Sequence, residues 1–277
     1  SPRPPAVPVL RMTPAAARDD QAATRDCFAG FGPAAAPAGC RFGDPAGTEV
    51  VVLLGDSHAA HWFPALDAAA RRQHWQLWFW AKSGCGYADA PEQLAAYRRE
   101  YTECAAWRTS ALDRVTALPR VDLVVVGRGI SYLGQLLGDD GRVLDRTAAA
   151  PVWGAGAERT FRRLTAGGRR VLLLRDVPRP GFDVPACLSS KDPAACSFAR
   201  SGHVHPDDQL WAAEQPVVTR LDVPVADLTD VVCPGDPCSV VSPGGAILYR
   251  DEHHLTATFA REASAAVEKV VASYLPR

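Results

Sequence analysis

Five short, mainly apolar runs punctuate the chain, at 49–54, 76–81, 122–126, 170–174 and 223–228. Runs of this length without strict polar alternation read as strands buried on both faces. Between them, at 61–73, 91–117, 156–166 and 207–220, apolar residues return every three or four positions. That is the period of a helix with one face against a core. A last stretch, 256–274, puts Phe259, Ala263, Ala266, Val267, Val270 and Val271 at helical spacing behind Thr256, a good N-cap. Strand and helix alternate throughout, which predicts an α/β fold: a parallel sheet with helices on both faces, a three-layer α/β/α sandwich. Ligands of such sheets bind beyond the carboxyl ends of the strands. Chemistry is therefore expected just after residues 54, 81, 126, 174 and 228.

Residues 1–25 show no such periodicity and are rich in Pro and Ala. They read as a linker or tether from something upstream, leaving 26–277 as one domain. The chain starts at Ser1 and Met12 is its one methionine, so a fragment of a longer protein is expected. No apolar run approaches the ~18 residues that cross a bilayer. A formal net charge of −1 leaves no electrostatic footprint for nucleic acid.

The eight cysteines fall into sequential couples: Cys27 and Cys40, Cys85 and Cys104, Cys187 and Cys196, Cys233 and Cys238. Each couple lies in a stretch rich in Pro, Gly or Asp, and none has zinc-finger spacing. Spacing alone does not select among the pairings. Bridges within couples are the expectation, with free buried cysteine as the alternative. Bridges imply an oxidising, extracytoplasmic compartment.

Two segments carry chemistry. After the first strand stands Gly55-Asp56-Ser57-His58-Ala59-Ala60-His61-Trp62. Gly55 permits a sharp turn, and a serine there meets the N–H groups of the following helix, donors that suit an oxyanion. Serine needs an adjacent base. Near the other end stands Asp251-Glu252-His253-His254-Leu255-Thr256. An Asp three residues before a His can orient the imidazole toward a serine hydroxyl. Asp56 reads as a turn-stabilising residue, and His58 and His61 as structural or pocket-lining. His203 and His205 have ligand-like spacing but no partner ligands, so no metal or cofactor is expected. Trp75, Trp78, Phe79 and Trp80 read as core.

On these blocks the sequence resembles the SGNH/GDSL hydrolases. Gly55-Asp56-Ser57 is similar to the family's first block and Asp251-Glu252-His253-His254 to its last. The extension Gly-Asp-Ser-His, Lys82-Ser83-Gly84-Cys85, the small Cys233–Cys238 loop and Leu248-Tyr249-Arg250-Asp251 resemble one branch in particular. In that branch an extracytoplasmic SGNH domain follows an integral-membrane acyltransferase family 3 domain.

The resemblance implies a five-stranded sheet of flavodoxin-like order. It implies Ser57 as nucleophile, His254 as general base and acid, and Asp251 as orienting carboxylate. The N–H groups of Ser57 and Gly84 would form the oxyanion hole. Its third block departs from pattern: Val126-Gly127-Arg128-Gly129 holds no asparagine, and the chain contains none. Arg128 is the candidate substitute, or binds an acceptor, unless it pairs with Asp56 or another acid. The implied activity is O-acyl transfer, typically acetyl, from a membrane donor domain to glycan hydroxyls of the cell envelope. The alternatives are a secreted carbohydrate esterase or lipase using the same triad, and a non-catalytic glycan-binding module.

Overall fold

The computed structural model describes residues 8–276. The strands are β1 (Phe28–Ala29), β2 (Arg41–Gly43), β3 (Glu49–Gly55), β4 (Trp75–Lys82), the hairpin β5 (Gln93–Leu94) and β6 (Arg99–Glu100), then β7 (Leu123–Gly127), β8 (Arg170–Leu174) and β9 (Val225–Ala226). Apart from the separate β5–β6 hairpin they form one sheet in the order β1-β4-β3-β7-β8-β9, with β2 also pairing to β4. Every pairing in it is parallel except β2 with β4. The five longer-range partners β4-β3-β7-β8-β9 are those expected, in the flavodoxin-like order.

The sheet has seven strands rather than the five expected. The two extra ones are too short to leave a period in the sequence. They share the outer side of β4, β2 along Gln76 to Trp78 and β1 at Ala81 and Lys82. Much of that exposed edge is thereby covered, a common protection against strand addition. The last expected strand shrinks to Val225–Ala226, because Pro224 has no N–H to give a ladder.

Helix Phe63–Gln73 packs on the C-terminal helices Ala257–Glu262 and Ser264–Ala272, while Arg146–Thr165 packs on Thr102–Ala117 and Asp208–Arg220. The expected helix at 91–117 begins only at Thr102, because the β5–β6 hairpin occupies its first part. Between the helical layers, Val51, Val52, Leu53, Val124, Val125 and Leu172 are buried completely.

All four expected couples form disulfides: Cys27–Cys40, Cys85–Cys104, Cys187–Cys196 and Cys233–Cys238. Residues 8–25 lie along the domain. Ala17 is fully buried, Arg18 makes two hydrogen bonds to Asp183, and the Asp20 carboxylate accepts from the Thr258 N–H.

The order of the sheet reverses between β3 and β7, whose last residues Gly55 and Gly127 are register partners. A Cβ on Gly55 would sit 2.0 Å from the Gly127 carbonyl oxygen, and its φ is +152°. Only glycine lets the backbones meet so closely. Gly55→Ala is expected to cost about 3 kcal/mol or more, read as a lower urea midpoint. An unchanged midpoint would contradict this packing.

Candidate active site

From Gly55 the chain turns directly into a short helix, Ser57–Ala60, with Asp56 as its N-cap. The Asp56 side chain is buried, 2% exposed. Its Oδ1 accepts the His58 N–H at 2.7 Å, and its Oδ2 accepts the Gly129 N–H at 2.7 Å and the Tyr132 hydroxyl. One carboxylate thus ties the turn after β3 to the loop after β7. Ser57 is held at the carboxyl edge of the sheet.

The distant segment at 251–254 closes onto this turn. His254 Nε2 lies 2.8 Å from Ser57 Oγ, and its Nδ1 lies 2.7 Å from Asp251 Oδ2. The other Asp251 oxygen accepts the backbone N–H groups of His253 and His254 at 2.9 and 2.7 Å. Burial alone would raise the Asp251 carboxyl. The His254 ring and the two N–H donors instead hold it well below the usual carboxylate range. Burial lowers His254, partly countered by its bond to Asp251. The imidazole therefore rests neutral, donating Nδ1–H to Asp251 and accepting the Ser57 hydroxyl proton at Nε2. That is the arrangement in which a serine can attack a carbonyl.

Gly84 lies three residues beyond Ala81, the register partner of Gly55, in a left-handed conformation with φ +57°. Among the described residues, neither the Ser57 nor the Gly84 N–H has a hydrogen-bond partner. Both donors are free for a ligand. Alongside, Lys82 is buried and donates to the carbonyls of Gly30, Phe31 and Pro33 at 2.7, 2.8 and 2.7 Å. It fixes the loop that brings Phe31 beside Gly84.

Arg128 does not reach the site. Its guanidinium is buried in an ionic cluster, with Nε 3.0 Å and one terminal nitrogen 2.5 Å from Glu214, and 2.9 Å from Asp207. Glu214 also accepts from Tyr87 and Trp153. The alternative of pairing with an acid holds, with Glu214 and Asp207 in place of Asp56. The expectation that Arg128 replaces the missing asparagine or meets an acceptor is corrected accordingly.

His61 adjoins Ser57, and the His58 ring lies 4.8 Å from that of His254, centroid to centroid. His61 accepts the Leu255 N–H through Nδ1 at 3.4 Å, and burial keeps its ring neutral. His58 Nδ1 lies 2.6 Å from Asp176 Oδ1, and its Nε2 lies 3.0 Å from His253 Nδ1. Sequence reasoning missed this Asp176–His58–His253 chain, because Asp176 follows a strand far from either block. His203 and His205 diverge, toward the Arg179 carbonyl and Asp227. A small open cavity of about 30 Å³ adjoins Ser57, bordered by Asp20, Gln21, Phe28, His61 and Arg250.

A family model described as the SGNH domain fused to AT3 domains matches residues 24–269. No curated protein matches the chain. Among solved structures, the periplasmic domain of the Salmonella ser. Paratyphi A lipopolysaccharide acetyltransferase is similar, with TM-score 0.62 and 12% identity over 83% of this chain and 86% of that one. Est24, a carbohydrate acetylesterase from Sinorhizobium meliloti, gives TM-score 0.46 and 14% identity over 82% and 99%. At such identity the likeness to the acetyltransferase domain is one of fold.

The buried cluster makes its own prediction. Arg128→Leu leaves the buried Glu214 without its cation, while Asp207 keeps Arg175, so it should cost about 3–5 kcal/mol of stability. A substrate-binding arginine at the surface would leave the urea midpoint in place.

Proposed function

Because the chain belongs to the SGNH domain family fused to AT3 domains, we propose that it is an O-acyltransferase domain working through an acyl-enzyme on Ser57. The observation that carries this reading is the unbroken line Asp251–His254–Ser57, with links of 2.7 and 2.8 Å. Membrane AT3 partners supply the acyl donor, typically acetyl, and hydroxyls of envelope glycans are the acceptors. The site then faces an extracytoplasmic compartment, in keeping with four disulfides.

The steps follow from the atoms. Ser57 Oγ attacks the donor's acyl carbonyl as its proton passes to His254 Nε2, and Asp251 stabilises the imidazolium. The tetrahedral oxyanion is received by the N–H groups of Ser57 and Gly84. When the intermediate collapses, the donor's leaving group takes the proton from His254. An acceptor hydroxyl then enters, loses its proton to His254 and forms a new ester bond to the acyl carbon. The bond to Ser57 breaks, and Ser57 Oγ recovers the proton. Two backbone donors without the third-block asparagine make a weaker oxyanion hole, which slows acylation and deacylation alike.

Ser57→Ala is expected to lower aryl-acetate turnover by about 10³-fold or more and to abolish fluorophosphonate labelling. Equal labelling of both proteins would overturn the proposal. Free acetate as the sole product, whatever hydroxyl acceptor is offered, would mark a hydrolase.

The rising limb of activity against pH reports deprotonation of His254. Burial places that limb below the ordinary imidazole value of about 6.5. Asp251→Asn removes the group that raises His254, so the limb should move lower still while the rate falls by orders of magnitude. A limb that moves to higher pH would contradict the assignment.

A further inference from the structure

His253 is not consumed by the triad. Its ring lies 4.1 Å from that of His254, centroid to centroid, and is nearly coplanar with that of His58, 5.1 Å away with 10° between the planes. Behind it runs a hydrogen-bond chain whose polarity can be read from the donors. Asp176 is buried, and its Oδ2 accepts from Arg179 Nε at 3.1 Å and from a terminal nitrogen at 2.9 Å. Its Oδ1 accepts the Val177 N–H at 2.9 Å and faces His58 Nδ1 at 2.6 Å. Burial opposes the Asp176 charge, but His58 and Arg179 keep it ionised. His58 Nδ1 therefore carries a proton.

At the other side of His58, Nε2 faces the Arg179 guanidinium at 3.3 Å and His253 Nδ1 at 3.0 Å. Arg179 is donor-only, so His58 Nε2 is an acceptor. His253 Nδ1 must then be the donor, which leaves His253 Nε2 with a lone pair and no proton. Burial beside His58 and His254 pushes His253 down to about 3, so the ring stays neutral in any working buffer. His253 is only half-buried, and its Nε2 has no partner and is not enclosed among the described residues. The cationic Arg179 at the shared nitrogen disfavours a metal ion among these rings.

We propose that His253 is a positioning residue for the acceptor: its Nε2 receives a hydrogen bond from a hydroxyl neighbouring the one that His254 deprotonates. This rests on the acyl-enzyme reading above. It names the acceptor class as polyols with adjacent hydroxyls, a geometry water and simple alcohols lack. The transfer is unchanged in its balance. The reacting hydroxyl's proton goes to His254, the acyl–Ser57 bond breaks, and His253 only orients the second hydroxyl. Asp176, His58 and Arg179 act through His253, by fixing its tautomer.

The test loads the chain with an aryl acetate and measures how the acyl-enzyme partitions. Equal concentrations of cis-1,2-cyclohexanediol and cyclohexanol are compared, by the ratio of ester to free acetate. Both fates share one intermediate, so the ratio is independent of how much enzyme is active. The wild type is expected to favour the diol about fivefold or more, the scale of one hydrogen bond. His253→Phe should erase that preference. His253→Gln, whose amide oxygen can accept, should restore part of it. A wild type without diol preference, or a His253→Phe protein that keeps it, overturns the proposal for His253 alone. Failure of fluorophosphonate to label wild-type Ser57 would overturn the acyl-enzyme reading and this proposal together.

Discussion

The buried carboxylate of Asp56 is the interaction on which the site depends. It joins three donors, the His58 N–H, the Gly129 N–H and the Tyr132 hydroxyl, at the point where β3 and β7 end side by side. A buried charge is tolerable only when its oxygens are saturated with donors. That requirement locks the turn after β3 against the loop after β7, and Ser57 is the next residue along. The close approach of Gly55 to Gly127 makes the join sterically feasible. Sheet topology supplies the crevice, and Asp56 supplies the rigidity that holds a nucleophile in it.

Around this clamp the protein spends its polar residues in layers. Outermost, His254 faces Ser57 directly and Asp251 holds His254 from behind. Beneath them, Asp176, Arg179, His58 and His253 form a second chain that ends beside His254. Deeper still, Arg128, Glu214 and Asp207 form a buried ionic cluster that ties the helix Asp208–Arg220 to the residue just after β7. Each carboxylate in these layers is paired with an imidazole or an arginine, so charge near Ser57 is fixed rather than mobile. A preorganised environment of this kind is what transition-state stabilisation requires.

How far the sequence anticipated this differs from residue to residue. The five main strands were legible because each is a continuous apolar run. The edge strands β1 and β2 were not, since two and three residues carry no period. Ser57, Asp251 and His254 meet as the two blocks implied, because short-range turn chemistry orients each block locally. The cysteine couples were legible because their loops are short. Arg128 misled because a lone arginine in a sequence has no visible partner, and Glu214 and Asp207 arrive from a helix some eighty residues on. The Asp176–His58–His253 chain escaped for the same reason: it joins three separate segments through tertiary packing alone. The helix expected at 91–117 failed at its start, where packing of a hairpin overrode a helical pattern.

The most direct test of the central claim is to trap the intermediate. The chain is mixed with an aryl acetate, quenched in acid within the first turnover and digested, and the peptide holding Ser57 is analysed by mass spectrometry. One acetyl group is expected on Ser57, absent from the same peptide of Ser57→Ala and discharged when a hydroxyl acceptor is added. Turnover with Ser57 unmodified at every time point, or acetyl found equally in the Ser57→Ala peptide, would contradict it.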